Sequence, residues 1–205
     1  MAKVSADISV SVDGFIAGPN DDVGNGLGDG GERLHDWVYD LATFHERHGR
    51  EGGETNQDDE VLREGFEGTG AFVMGRRMFD LAEEPWGDDP PFHGPVFVVT
   101  HRGREELVKQ GGTTFRFVTD GLESALEQAT AAAGDKDVSV AGGADVIQQS
   151  LAAGLLDEIQ VHVAPVLLGE GRRLFDRLGP TQIELQATRV IESPEVTHLR
   201  YRIAR

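Results

Sequence analysis

Two periodicities alternate along this chain. Over residues 4–12, Ile8, Val10 and Val12 fall on one face, the pattern of a strand. Leu34, Trp37, Val38, Leu41 and Phe44 then recur at helical spacing and predict one amphipathic helix running to about His48. After a polar surface excursion over residues 49–58, Val61, Leu62 and Phe66 mark a short helix, and residues 71–74 a strand. Gly75-Arg76-Arg77 opens another helix, and the proline-rich residues 83–95 read as loop. Strands follow at residues 96–100 and 115–119. Asp120 and Glu123 have capping-box spacing before Leu122, Ala125, Leu126 and Ala129, and Gly134 ends that helix.

Residues 138–175 carry the clearest pattern. Val138–Val140 is an apolar run ending at Ala141-Gly142-Gly143; Ala144, Ile147 and Leu151 have helical spacing, with Gly154 as the stop. Ile159, Val161 and Val163 then alternate with Gln160, His162 and Ala164. Such a strand–helix–strand unit is parallel and right-handed in nearly all sheets. Residues 181–192 and 196–204 predict an antiparallel hairpin turning at Ser193-Pro194. Strands alternating with helices predict an α/β domain over residues 1–205, with a mostly parallel sheet covered on both faces.

In such sheets ligands sit outside the carboxyl ends of the strands. That rule lines up Asp13, Gly75-Arg76-Arg77, Thr100-His101-Arg102 and Gly142-Gly143 along one edge. Glycines at a helix start leave N–H groups for a phosphate, and the arginines add charge. Arg76 and Arg77 have a plainer role available, pairing with Glu83 or Glu84, as Arg102 has with Glu105 or Glu106. Asp13-Gly14 is also an ordinary turn signal. The acidic, glycine-rich residues 18–31 are a candidate lid. Their Gly26, Gly28 and Gly31 match a dinucleotide fingerprint in spacing only, since no strand directly precedes them.

Composition narrows the partners. Lysine and arginine total 19 against 36 acidic residues, a formal charge of −17 that disfavours nucleic acid and anionic membrane. There is no cysteine, so disulfides and cysteine-based metal sites are excluded. His45 and His48 have metal-capable spacing, but no third ligand is near and a solvated helix face is the preferred reading; no metal is expected. No secretory pattern or membrane-length apolar run is evident, which predicts a cytoplasmic protein. The apolar run Pro165–Leu168 after an alternating strand predicts a homodimer.

The segments SVDGFIAG (11–18), VMGRRMFD (73–80), VVTHR (98–102), VAGGADVIQQSLAAGLLDEI (140–159) and PVLLGEGRRLF (165–175) occur in an order that resembles the dihydrofolate-reductase-like superfamily. The nearest branch is the reductase domain of bifunctional riboflavin-biosynthesis deaminase-reductases. The resemblance implies an eight-stranded, mostly parallel sheet with a C-terminal hairpin, NADPH as hydride donor, and a homodimer. Gly75, Arg76 and Arg77 would then bind cofactor phosphates, Thr100, His101 and Arg102 the adenosine 2′-phosphate, and Ala141, Gly142, Gly143, Ala144 and Asp145 the pyrophosphate. Asp13 is the candidate catalytic acid. Asp36 is a second, by its location relative to the pterin-gripping acid of folate reductases, although a helix N-terminal charge is the plainer reading. Phe15 and Trp37 are the candidate substrate contacts. Pro19 is followed by Asn20 rather than tryptophan, unlike folate reductases, and the cysteines of a zinc deaminase domain are missing. The expected function is reduction of a pterin or a ribosylated aminopyrimidine by a stand-alone member. A non-catalytic NADPH- or pterin-binding dimer is the alternative.

Overall fold

The computed structural model describes residues 2–180 and 182–204. Its elements are β1 (Val4–Ser11), β2 (Phe15–Ala17), α1 (Asp36–Tyr39), α2 (Ala42–Arg47), α3 (Gln57–Gly68), β3 (Thr69–Gly75) and α4 (Arg76–Trp86), then β4 (Pro95–Val99), β5 (Leu107–Val108) and β6 (Thr114–Val118). The remainder is α5 (Leu122–Ala133), β7 (Asp137–Gly142), α6 (Ala144–Ala152), β8 (Glu158–Ala164), β9 (Arg172–Arg173), β10 (Leu185–Glu192) and β11 (Thr197–Ile203). One sheet has the order β10-β11-β8-β1-β7-β3-β4-β6-β5, and β2 pairs with β9 in a separate ribbon. Among the described residues the large sheet has nine strands, not eight; the extra one is the two-residue β5, antiparallel on the β6 edge. The run from β8 to β6 is parallel, and β11 and β10 extend it antiparallel.

Strand alternation distributes side chains to two layers. Ala71 and Val73 of β3, Phe97 of β4, Val138 and Val140 of β7 and Ile159 and Val161 of β8 pack with α5 and α6 in one core. Phe72, Met74, Val96 and Val98 point the other way, against Phe79 of α4 and Phe92. Helices therefore cover both faces, as the alternation predicts.

Four local readings change. The helix predicted over residues 34–48 is three short pieces, a 3-10 turn at Gly31–His35 followed by α1 and α2. Its apolar residues still turn inward: Leu34, Trp37, Val38 and Leu41 are buried. Pro85 lies inside α4, which absorbs the start of the expected loop. Lacking an N–H, Pro85 cannot donate to the Leu81 carbonyl, so the last turn of α4 forms one backbone bond fewer and the helix ends at Trp86. At α5 the cap is Gly121 without a side-chain hydrogen bond, so Asp120 and Glu123 form no capping box. On β1, Val12 is 60% exposed beyond the strand end while Ser9 and Ser11 are buried. The hairpin of β10 and β11 turns at Ser193, whose N–H donates to Val196; the expected first residue of that strand, Thr181, lies outside the described residues.

On the three strands β1, β8 and β11 the alternation sorts polarity as well as direction. One face carries Ala6, Val10, Ile159, Val161, Leu199 and Tyr201 against the main core. The opposite face carries Asp7, Ser9, Gln160, His162, His198 and Arg200, with Ser9 and His198 both in register with His162. This polar face is covered rather than solvated. Trp37 and Val38 roof it, in a small core with Leu41 and Val196.

Candidate functional site

A cleft of about 1240 Å³ runs across the carboxyl ends of the central strands. Gly75, Arg76, Arg77, Thr100, His101, Arg102, Ala141, Gly142, Gly143, Ala144 and Asp145 all line it, as the strand-end rule requires. β3 ends at Gly75, where α6 packs closely: a Cβ there would lie 3.0 Å from Val146 Cγ2. At Gly142, φ is 135°, which requires glycine; a Cβ there would also sit 3.0 Å from Met78 Sδ, a flexible side chain that would have to shift. The peptide to Gly143 is cis. Gly143 caps α6 without a side chain, leaving the first N–H groups of the helix for a ligand.

The arginines are held by carboxylates other than those expected. Asp80 joins Arg76 (2.6 Å) to Arg102 (3.2 Å), while Glu83 pairs instead with Arg104. Thr100 Oγ1 accepts from the Arg102 N–H at 3.0 Å, shaping the turn after β4. Arg77 and Arg172 both grip Asp21, which lies in the candidate lid and lines the cleft. Burial pushes the Asp21 carboxyl up, but Arg172 and Arg77 outweigh it and hold the group below the usual range. The lid is a hydrogen-bonded loop: Gly18 N–H donates to Leu27, Asp29 N–H to Pro19, and the Asn20 amide to Asp29.

Three expected site residues lie off the cleft lining. Asp13 is used structurally: Oδ1 accepts from Ser11 Oγ (2.6 Å) and the Leu168 N–H (3.1 Å), and Oδ2 from the Gly169 N–H (2.7 Å). The Ser11 hydroxyl and these amides bring its carboxyl down to about 2. Asp36 is exposed and paired with Arg33 at 2.7 Å. Phe15 is buried under the Arg173 guanidinium, 4.4 Å from its ring centroid. Trp37, by contrast, lines the cleft, donates to Ser9 Oγ at 3.1 Å and lies 4.7 Å from the His162 ring. His45 and His48 are occupied with the carbonyls of Tyr39 and Phe44.

The floor of the cleft holds groups that the strand-end rule does not reach. Asp7, Ser9, His35 and His162 line it beneath Trp37. Asp7 Oδ1 lies 2.5 Å from His162 Nε2, and Asp7 Oδ2 accepts from the Gln160 amide at 3.0 Å. His162 Nδ1 faces His198 Nδ1 at 2.6 Å, and His198 Nε2 lies 2.9 Å from Asp58 Oδ1, which also accepts from Ser193 Oγ. Burial pushes the Asp7 carboxyl up, yet His162, with Arg200 and His198, holds it below its ordinary value. Burial pushes His198 down against the pull of Asp58. His35 is brought to about 4, by burial first and by His162 second. Its Nδ1 finds no partner among the described residues. The signal for this floor was the polar half of each alternation, D-I-S, Q-V-H and H-L-R.

Against known proteins, the model for the RibD C-terminal domain matches residues 2–199. The chain belongs to that family. Among curated proteins, this RibD-type domain is 27% identical over 179 residues to the uncharacterized protein YyaP of Bacillus subtilis, covering 84% of this chain and 80% of the relative. A solved structure from Shewanella sp. PV-4, described as a riboflavin biosynthesis protein, superposes with a TM-score of 0.70 at 23% identity over 99% of both chains. Acinetobacter baumannii RibD gives a TM-score of 0.64 at 18% identity, with 100% of this chain covering 59% of that one. The deaminase and 5-amino-6-(5-phosphoribosylamino)uracil reductase of Thermotoga maritima gives 0.61 at 14% identity, over 57% of its length. These likenesses carry the fold, and the family is one of oxidoreductases.

Proposed function

We propose that this RibD-type domain is an NADPH-dependent reductase of a small planar heterocycle, a ribosylated aminopyrimidine or a pterin. The observation that carries the reading is the convergence of glycines and arginines at one end of the cleft, in a chain whose formal charge is −17. Concentrating Arg76, Arg77 and Arg102 there against the overall field suits an anionic ligand that must approach an acidic protein. The residues fit a dinucleotide. The turn at Gly142-Gly143 lets backbone approach closely, α6 offers uncapped N–H groups, and Arg77 would meet phosphate once Asp21 yields it.

Arg102 and His101 are the candidates for the 2′-phosphate, as both line the cleft after β4 and Arg102 is largely exposed. Bound there, NADPH would supply hydride. The chain's own part is to orient the substrate against Trp37 and the polar floor, and to exclude water under the 18–31 loop. Asp13 has no part in this scheme, since its carboxylate is committed to the loop at Leu168 and Gly169.

The test is titration calorimetry with NADPH followed by absorbance at the nicotinamide band. The compounds would be 5-amino-6-(5-phosphoribosylamino)uracil, pterins and a ribose-free aminopyrimidine. Binding with oxidation by one of them supports the reading. Binding with oxidation by none supports a non-catalytic NADPH binder, and absence of binding refutes both.

A further inference from the structure

We propose that Asp7, His162, His198 and Asp58 store one proton beneath the cleft and pass it, through Asp7, to the substrate atom beside the carbon that accepts hydride. The proposal rests on the reductase reading above. The four groups make a line with three close contacts: Asp7 Oδ1 to His162 Nε2, His162 Nδ1 to His198 Nδ1, and His198 Nε2 to Asp58 Oδ1. Each contact needs one proton between its two heavy atoms. Two neutral imidazoles bring only two.

With two, either the facing Nδ1 lone pairs meet at 2.6 Å, or one Nε2 lone pair faces a carboxylate. Both arrangements are repulsive, and this interior offers little water to relieve them: His162 and His198 are 4% and 3% exposed. A third proton satisfies every contact at once. The line then consists of two carboxylates, one imidazolium and one neutral imidazole, with net charge −1.

Neighbouring groups favour this state without supplying the proton. Arg200 reaches Asp7 through Gln160, accepting side to donating side, at 2.6 and 3.0 Å. Ser193 satisfies Asp58 from β11's turn. His35, the remaining titratable group beside His162, stays neutral at ordinary pH. Asp59 on the same helix as Asp58 is committed to Arg63 and the Thr43 N–H. Trp37 closes the line from water, 4.7 Å from the His162 ring and 4.9 Å from that of His198.

The outlet is Asp7. Its side chain is 34% exposed and lines the cleft, whereas the far end at Asp58 is 12% exposed. As hydride from NADPH adds to the carbon of a C=N or C=O bond, the π electrons move onto the nitrogen or oxygen. That atom takes a proton from Asp7, which has received it from His162 Nε2. The line falls from three protons to two and from −1 to −2. The lone pair now facing Asp7 makes it strongly basic, so it recovers a proton from solvent through the emptied cleft.

The first measurement needs no substrate. 15N imidazole NMR of the whole protein, from about pH 6 to 8, should find three ring protons on His162 and His198, one ring neutral and one charged. Two neutral rings would overturn the proposal. The second measurement uses His198→Asn, which keeps a polar partner for His162 but cannot hold the extra proton. Single-turnover oxidation of NADPH by 5-amino-6-(5-phosphoribosylamino)uracil should slow by roughly 10- to 100-fold and decline as pH rises. The dissociation constant of NADPH should not move, since its candidate site is elsewhere in the cleft.

A variant with wild-type rate and pH profile overturns delivery from this line. If the variant does not fold, the ring-proton count on the unaltered protein still decides storage. If the wild type fails to bind NADPH, the reductase reading falls and delivery with it, whereas a normal Kd with an unaltered pH profile removes delivery alone.

Discussion

Replacing Asp21 by asparagine should tighten NADPH binding, although Asp21 lines the cleft. In the structure its carboxylate holds Arg77 (Nε at 3.1 Å) and Arg172 (Nη2 at 3.0 Å). A cofactor phosphate that uses either guanidinium must first displace it. The arginine side chains are 52% and 41% exposed, so each pair ranks with surface ion pairs of about 0.2–1 kcal/mol and not with buried ones. Two of them sum to about 1 kcal/mol, and relieving that competition corresponds to roughly fivefold in Kd. Asparagine retains a hydrogen-bond acceptor, which keeps the loop in place while removing the charge. Titration calorimetry at low ionic strength is the assay, and the gain should shrink as salt rises. Arg77→Ala serves as the control and should weaken binding in both backgrounds. Affinity that is unchanged or weaker in Asp21→Asn would refute this, because Asp21 would then not be competing with the cofactor for either arginine.

NADPH should bind at least about a hundredfold more tightly than NADH, from two charge-assisted hydrogen bonds of roughly 1.5–3 kcal/mol each, and Arg102→Ala should erase most of the difference in calorimetry. Asp13→Asn should leave turnover intact and lower the melting temperature, since an amide NH₂ would face the Gly169 N–H that Oδ2 now accepts. Because the Asp13 carboxyl sits at about 2 when folded, its stabilisation is complete above its unfolded value of about 4 and is lost as pH falls toward 2; thermal melts of the variant should lack that dependence. Light scattering should give twice the 22.2 kDa chain mass, given Leu167 and Val190 exposed at 71% and 62%. A mass of one chain at micromolar concentration would refute the dimer.

Periodicity made the parallel sheet and the strand-end residues legible, because β7, α6 and β8 each follow one pattern from end to end. The 34–48 segment misled for a physical reason. Its apolar spacing records which residues turn inward, and three short pieces satisfy that as well as one helix does. Asp13 was read both as a cleft group, from its place at a strand end, and as a plain turn-former. Of its partners only Ser11 is local; the amides of Leu168 and Gly169 are 155 and 156 residues away, and local spacing holds no trace of them. The polar floor was half visible. Gln160 and His162 stood out as the polar positions of an alternating strand, but finding Asp7 and His198 beside them required the strand order.

That strand order also has a consequence for how the chain is made. β8 is hydrogen-bonded between β1 and β11, and its residues come more than 150 positions after the strand it joins. Synthesis proceeds from the N-terminus, so β1 is exposed as an open edge through most of translation. The two aspartates of the line are made within the first 58 residues and its two histidines only at 162 and 198. A nascent or prematurely terminated chain therefore carries a bare sheet edge and an unneutralised carboxylate at once. Charge on that edge discourages pairing with another chain until β8 arrives, so the same aspartate that faces the cleft in the finished protein would act as a gatekeeper on the ribosome.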